Sequence, residues 1–179
     1  MKRLFILLSL IFISILGLKL DQHQNEVVIG VLPEPAASTT THKVLSVIDG
    51  DTIMIEMDGV TETVRLLGID TPEVDPQYNP IECYGREATN ATKEKLLNQI
   101  VTVETDASQG TRDKFDRILG YVFLPDGTNV NLYLIAEGFA KEYTYNKSYT
   151  YQTEFRTAEK NAQINEKGLW SKGLCPENT

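Results

Sequence analysis

Histidine is nearly missing from this 179-residue chain: only His23 and His42 are present, both in the poorly patterned N-terminal region. That scarcity argues against histidine general-base chemistry, a catalytic triad or a histidine-rich metal site. Two cysteines, Cys83 and Cys175, cannot build a four-cysteine zinc site. Positive charge is also short, with 17 Lys and Arg against 25 Asp and Glu and a net charge of −8. Such a balance is awkward for binding a polyanion unless a local positive site is built. The Asp-x-Asp-x-Asp-Gly spacing of a helix-loop-helix calcium loop is missing too. Chemistry in this chain must therefore run on carboxylates and arginines. Its hydrophobic content of 41% and charged content of 23% are those of a soluble globular protein, long enough for one ordinary domain.

The one long apolar run, Leu4 to Leu18, is broken only by Ser9, Ser14 and Gly17 and follows Met1-Lys2-Arg3. A basic start and a short apolar core predict a secretory signal over residues 1–20. The run is shorter than the roughly 20 residues that a spanning helix needs. No Ala-x-Ala site follows promptly, so an uncleaved signal anchor with its basic end in the cytoplasm is the alternative. In both cases the domain leaves the cytoplasm, either secreted or anchored to the outer face of the membrane. Removing the first 20 residues takes away Lys2, Arg3 and Lys19 and no acid, so the mature chain is more acidic still. Residues 21–42 contain Pro33-Glu34-Pro35 and a run of small polar residues, and read as a flexible leader. Val27 to Leu32 is not expected to form a strand. The domain is placed at 43–173, with a tail at 174–179.

What the chain does have lies in Val47-Ile48-Asp49-Gly50-Asp51-Thr52 and Arg65-Leu66-Leu67-Gly68-Ile69-Asp70-Thr71-Pro72-Glu73. Asp51, Asp70 and Glu73 are oxygen donors of the kind a hard divalent cation prefers. Arg65 offers a planar fork that fits a pair of phosphate oxygens, and Arg117 lies further on in Lys114-Phe115-Asp116-Arg117. Acids for a metal and arginines for a phosphate point to metal-assisted phosphodiester cleavage. Asp49-Gly50 by itself is hairpin punctuation, and a lone arginine in a strand is more often a rim charge.

These residues resemble the staphylococcal nuclease family from about Lys43 to Ser171. The resemblance rests on five ordered blocks: Ile48 to Thr52, Arg65 to Glu73, Tyr84-Gly85-Arg86-Glu87-Ala88, Asp113 to Arg117, and Gly168-Leu169-Trp170-Ser171. It implies a calcium-dependent nuclease acting on DNA and RNA with little base preference, single-stranded or denatured substrate being preferred, and a monomer. It also implies that Asp51 and Asp70 ligate Ca²⁺ beside the backbone carbonyl of Thr71, leaving several of calcium's positions to water and phosphate. Glu73 is implied to activate or orient the attacking water. Arg65 and Arg117 are implied to bind the phosphate and stabilise the transition state. Tyr143 and Tyr145, two apart in an extended stretch, have rings on one side. They are implied to meet the nucleotide together with Lys114 and Phe115. Phe115 departs from the family's usual tyrosine and cannot donate to a phosphate, and the loop Val74 to Pro80 lacks the lysines of the best-known relative. Both departures weaken the expectation of tight end-nucleotide binding. The competing readings are a catalytically inactive module of the same fold that binds nucleic acid or protein, and a calcium-stabilised surface protein.

Strands are predicted over Lys43–Ile48, Thr52–Met57, Glu62–Leu67, Ile100–Thr105 and Ile118–Leu124, with hairpin turns at Asp49-Gly50 and Asp58-Gly59. Helices are predicted over Tyr84–Asn98 and Asn129–Glu137, and from Tyr151 to about Lys167. Patterning alone yields an α+β, mostly antiparallel domain. The resemblance narrows that to a five-stranded OB-type Greek-key barrel with three helices. Asp51 and Asp70 are expected to converge with Glu73 and Arg65, which requires a bend near Gly68 or Thr71-Pro72, because residues 65 and 70 would face opposite sides of a regular strand. An even cysteine count in an exported chain predicts a Cys83–Cys175 disulfide, although the best-known relative has no cysteines.

Overall fold

The computed structural model describes residues 40–74 and 81–175. Residues 1–39, which hold the expected signal segment and most of the expected leader including Val27 to Leu32, and residues 75–80 and 176–179 lie outside them. Three strands form the opening meander: β1 (Thr41–Val47), β2 (Thr52–Met57) and β3 (Val60–Leu66). β1 starts two residues earlier than the apolar pattern suggested, because Thr41 and His42 pair with Thr102 and Val101 on a later strand. The β2–β3 turn uses Asp58 and Gly59, both at positive φ (52° and 79°). Two consecutive left-handed residues are what a tight hairpin demands. Along β3 the side chains alternate, with Val64 and Leu66 fully buried and Arg65 between them on the other face.

After β3 the chain swings at Gly68, where φ is 79°. A Cβ there would lie 2.8 Å from the Tyr149 ring and 3.0 Å from Phe155, so glycine is required twice over. The bend leads into β4 (Ile69–Asp70), which leaves the barrel and pairs with β7 (Lys141–Glu142) as a separate two-stranded sheet. Helix α1 (Gly85–Leu96) follows, then β5 (Ile100–Glu104) and β6 (Ile118–Phe123). β5 pairs with both β1 and β6, and β6 runs parallel to β3, so the order β1-β2-β3-β6-β5 closes on itself. Closure removes the exposed sheet edges.

Helices α2 (Val130–Ala136) and α3 (Gln152–Ile164) and a 3-10 turn (Gly168–Trp170) complete an α+β fold that, among the described residues, has a closed five-stranded barrel, a separate two-stranded sheet and three α-helices. The Asn129 side chain caps α2 by accepting from Leu132 N–H at 3.1 Å. The core is formed by Val44, Ile53, Ile55, Val64, Leu66, Val101, Tyr121 and Val122 from the barrel, with Leu96, Leu134 and Phe155 from the helices. Asn131 is wholly buried yet satisfied: it donates to Leu67 O and Gly120 O and accepts from Val122 N–H. It ties α2 to the end of β3, one residue before the Gly68 bend. Cys83 and Cys175 form the expected disulfide with Cα atoms 5.7 Å apart, joining the start of α1 to the C-terminal segment.

Candidate active site

Asp51 sits at the end of the β1–β2 turn, just before Thr52 opens β2, and is buried. Asp49 serves the turn itself, its Oδ1 accepting from Asp51 N–H. The Asp51 Oδ2 accepts from Thr71 N–H at 3.0 Å and from Thr71 Oγ1 at 3.2 Å. Gly50 makes this approach possible, since a Cβ there would lie 2.6 Å from Thr71 Oγ1. Burial pushes the Asp51 carboxyl above the usual carboxylate range, opposed by the Arg65 guanidinium.

Arg65 is the hub. Its Nη2 lies 3.0 Å from Asp51 Oδ2 and 3.2 Å from Asp70 Oδ1, while Nη1 donates to the carbonyls of Leu66 and Ile69 at 2.9 Å each. Both acids therefore touch one nitrogen, and they lie inside the roughly 8 Å that a shared calcium allows. The carbonyls of Leu66 and Ile69 come within reach because the Gly68 bend folds β4 back across the guanidinium. The odd spacing of residues 65 and 70 is resolved as expected, by a bend at Gly68. Asp70 is half-exposed, and its carboxyl is raised by burial, with Arg65 again pulling the other way.

Glu73 is exposed at the rim. Its backbone N–H donates to Glu82 Oε2 at 3.1 Å, and its carbonyl accepts from Glu82 N–H at 2.9 Å, so Glu82 clamps the peptide on both sides. Partial burial and the negative charges of Asp49 and Asp70 raise its carboxyl.

Arg117 lies just before β6 and lines the same opening. Asp113 holds it with Oδ2, 2.8 Å from Nε and 2.7 Å from Nη2, while Oδ1 accepts the N–H groups of Phe115 and Arg117. Lys114 Nζ and the Arg117 guanidinium stand over the Phe115 ring at 4.9 and 5.4 Å. Phe115, Tyr143 and Tyr145 are exposed, and the two tyrosine rings are 6.4 Å apart on one side, tilted by 37°. A cleft of about 540 Å³ is lined by Arg65, Asp70, Lys114, Phe115, Arg117, Tyr143 and Tyr145 together. Asp51 and Thr71 lie beneath its Arg65 end. Arg65, Asp70, Lys114, Phe115, Arg117, Tyr143 and Tyr145 thus share one opening with Asp51 and Thr71 bonded at its Arg65 end, whereas Glu73 is not among the residues that line it. Asp113, Glu82, Arg112 and Tyr149 were not anticipated: each is an ordinary polar residue whose partner lies in another element or across a turn.

Among the described residues no group of three or more His, Cys, Asp or Glu side chains is gathered at metal-binding distances. The acids come instead as a pair on one guanidinium, beside the Thr71 backbone. This donor set is all oxygen, and the buried Asp51 charge is incompletely compensated. A hard divalent cation fits it better than a soft one.

Residues 63–172 match the family model described as staphylococcal nuclease homologue. The chain is 40% identical to a thermonuclease of Staphylococcus hyicus over 136 residues, covering 75% of this chain and 78% of the relative. It is 40% identical to a thermonuclease of Staphylococcus intermedius over 132 residues, 74% and 77% of the two chains. It is also 36% identical to endonuclease YncB of Bacillus subtilis over 126 residues, 70% of this chain and 59% of that one. Barrel, cleft and these matches agree: the chain belongs to the staphylococcal nuclease family.

Proposed function

We propose that this protein is an exported, calcium-dependent nuclease that hydrolyses the phosphodiester bonds of DNA and RNA with little sequence preference. The observation that carries the reading is the convergence of Asp51, Asp70 and Arg65, with Arg117 lining the same aromatic-rimmed cleft. Relatives named thermonuclease and endonuclease support it. Asp51, Asp70 and the Thr71 carbonyl would hold Ca²⁺, which when bound polarises the phosphate and lowers the pKa of a coordinated water.

The remaining work falls to the protein. Arg117 presents guanidinium N–H groups to the equatorial phosphate oxygens, where negative charge grows as water attacks phosphorus and the P–O bond to the leaving sugar breaks. Arg65, its Nη groups held by Asp51, Asp70 and the Leu66 and Ile69 carbonyls, offers its Nε–H and its charge there. Asp113 occupies the Nε edge of Arg117, leaving Nη1 free to turn toward the substrate. Glu73, its carboxyl raised by partial burial and by the neighbouring acids, accepts a hydrogen bond from the attacking water and either orients it or takes its proton. Tyr143, Tyr145 and Phe115 provide faces on which unpaired bases stack, each worth roughly 1–3 kcal/mol. Stacking of this kind does not read sequence and favours single-stranded substrate.

The basic, apolar N-terminus supports export, and the disulfide fits an oxidising compartment. The test is release of acid-soluble nucleotides from heat-denatured DNA, in calcium and in chelator. Calcium-dependent release supports the enzyme. Retention of DNA without release would make the protein a binding module instead.

A further inference from the structure

The turn that presents Arg117 is fastened to the barrel by Arg112, which also lines the cleft. Arg112 Nη1 donates to Glu62 Oε2 on β3 at 2.8 Å and to the carbonyl of Asp116 at 2.7 Å. Its Nε lies 3.7 Å from Asp116 Oδ1, and its backbone forms an antiparallel bridge with Ile118. Asp116 has φ of 65°, a left-handed conformation that an L side chain seldom takes unaided. Its N–H donates to Asp113 O, and Asp113 N–H donates to Arg117 O. Residues 113–117 therefore form a small loop closed upon Asp113, with Arg112 as the side-chain bond from that loop to β3.

We infer that Arg112 is a positioning residue that, through Glu62 and Asp116, fixes Arg117 relative to Arg65. β3 carries both Glu62 and Arg65, three residues apart, so the strut and the guanidinium hub share one rigid strand. β3 also pairs with β6 directly after Arg117, through Val64–Ile118 and Arg65–Leu119. The strand register fixes the base of the turn, and Arg112 fixes its outer edge at Asp116, next to Arg117. Exposed ion pairs of this kind add little to stability. Their value here lies in aim, since a guanidinium displaced by about 1 Å from a transition-state oxygen loses roughly a hundredfold in rate. Arg112 also lines the cleft, so direct contact with a substrate phosphate is the alternative role that the double variant and the salt slope distinguish.

This inference rests on the nuclease reading for its kinetic test, and a measurement independent of activity accompanies it. Arg112→Ala should lower kcat on denatured DNA by roughly tenfold to a hundredfold with KM changed less than about twofold. In an Arg117→Ala background the same change should cost less than about twofold, because the two act as one unit. Glu62→Gln, which leaves the Arg112 charge in place, should show a smaller loss with the same dependence on Arg117. Direct phosphate binding predicts the opposite pattern: independent losses in the double variant, a raised KM, a salt slope lower by about one, and no effect of Glu62→Gln. Amide exchange at Phe115 and Arg117, both bonded to Asp113, should quicken in Arg112→Ala and in Glu62→Gln. Independent losses, or unchanged exchange at those two amides, would overturn the strut. Wild-type protein without nuclease activity would refute the functional reading instead, and exchange alone would then decide whether the strut holds the turn.

Discussion

Replacing Cys83 and Cys175 by serine removes a cross-link between positions 92 residues apart in sequence. In the chain-entropy treatment a closed loop of that length lowers unfolded-state entropy enough to stabilise the fold by about 4.6 kcal/mol at 25 °C. The folded protein loses little in direct contacts, because the bridge lies near the surface at the start of α1 and its other end is in the C-terminal segment. The destabilisation should therefore act mainly through the unfolded chain. For a domain of this size each kcal/mol is worth roughly 3 °C, so the midpoint should fall by about 10–15 °C. Urea unfolding of the double variant, beside wild type with and without reductant, measures it. Reduced wild type should match the variant, and each should show a lowered denaturant midpoint. A fall of less than about 1 kcal/mol would refute the entropic argument and mean that the unfolded chain gains little freedom when the bridge is cut.

Two further outcomes follow from the packing. Burial pulls the Asp106 carboxyl up, but hydrogen bonds from Ser108 and the Thr150 N–H outweigh it and hold the group well below the usual range. A depressed folded pKa gives stability that is present above the unfolded value near 3.8 and is lost as pH falls through the folded value. Asp106→Asn, which also weakens the acceptor for Tyr121 Oη–H, should cost about 1.5–3 kcal/mol at pH 7 and flatten the acid limb of a stability–pH curve. Gly68→Ala should cost about 2–5 kcal/mol in urea unfolding, combining a left-handed φ with a Cβ pressed on the Tyr149 ring. Its activity loss should exceed what instability explains, because the same bend aims Asp70.

Much of this was legible in sequence because local chemistry and global fold agree. Asp58-Gly59 sits where a hairpin needs two left-handed residues, and the alternation of Val64, Arg65 and Leu66 marks an inner and an outer face. Asp51, Arg65 and Asp70 were legible as a set through the resemblance, and the need for a bend between residues 65 and 70 was legible from the pleat. The β4–β7 pairing was not, because two-residue strands carry no periodicity. Asp113, Glu82 and Arg112 were equally silent. Asp113 holds Arg117 four residues away, but in a turn rather than a helix. Glu82 and Arg112 act on backbone groups or on partners nine and fifty positions away.

The central claim is that acids and arginines around one cleft hydrolyse phosphodiesters. The most direct measurement is turnover of denatured DNA by Glu73→Gln, Arg117→Ala and Asp51→Ala, each checked for native folding. At least a hundredfold loss of kcat is expected for Glu73→Gln and for Arg117→Ala, on the order of deleting one transition-state donor. The Asp51→Ala defect should be partly recovered by raising Ca²⁺. Near-native turnover by all three folded variants would contradict the account.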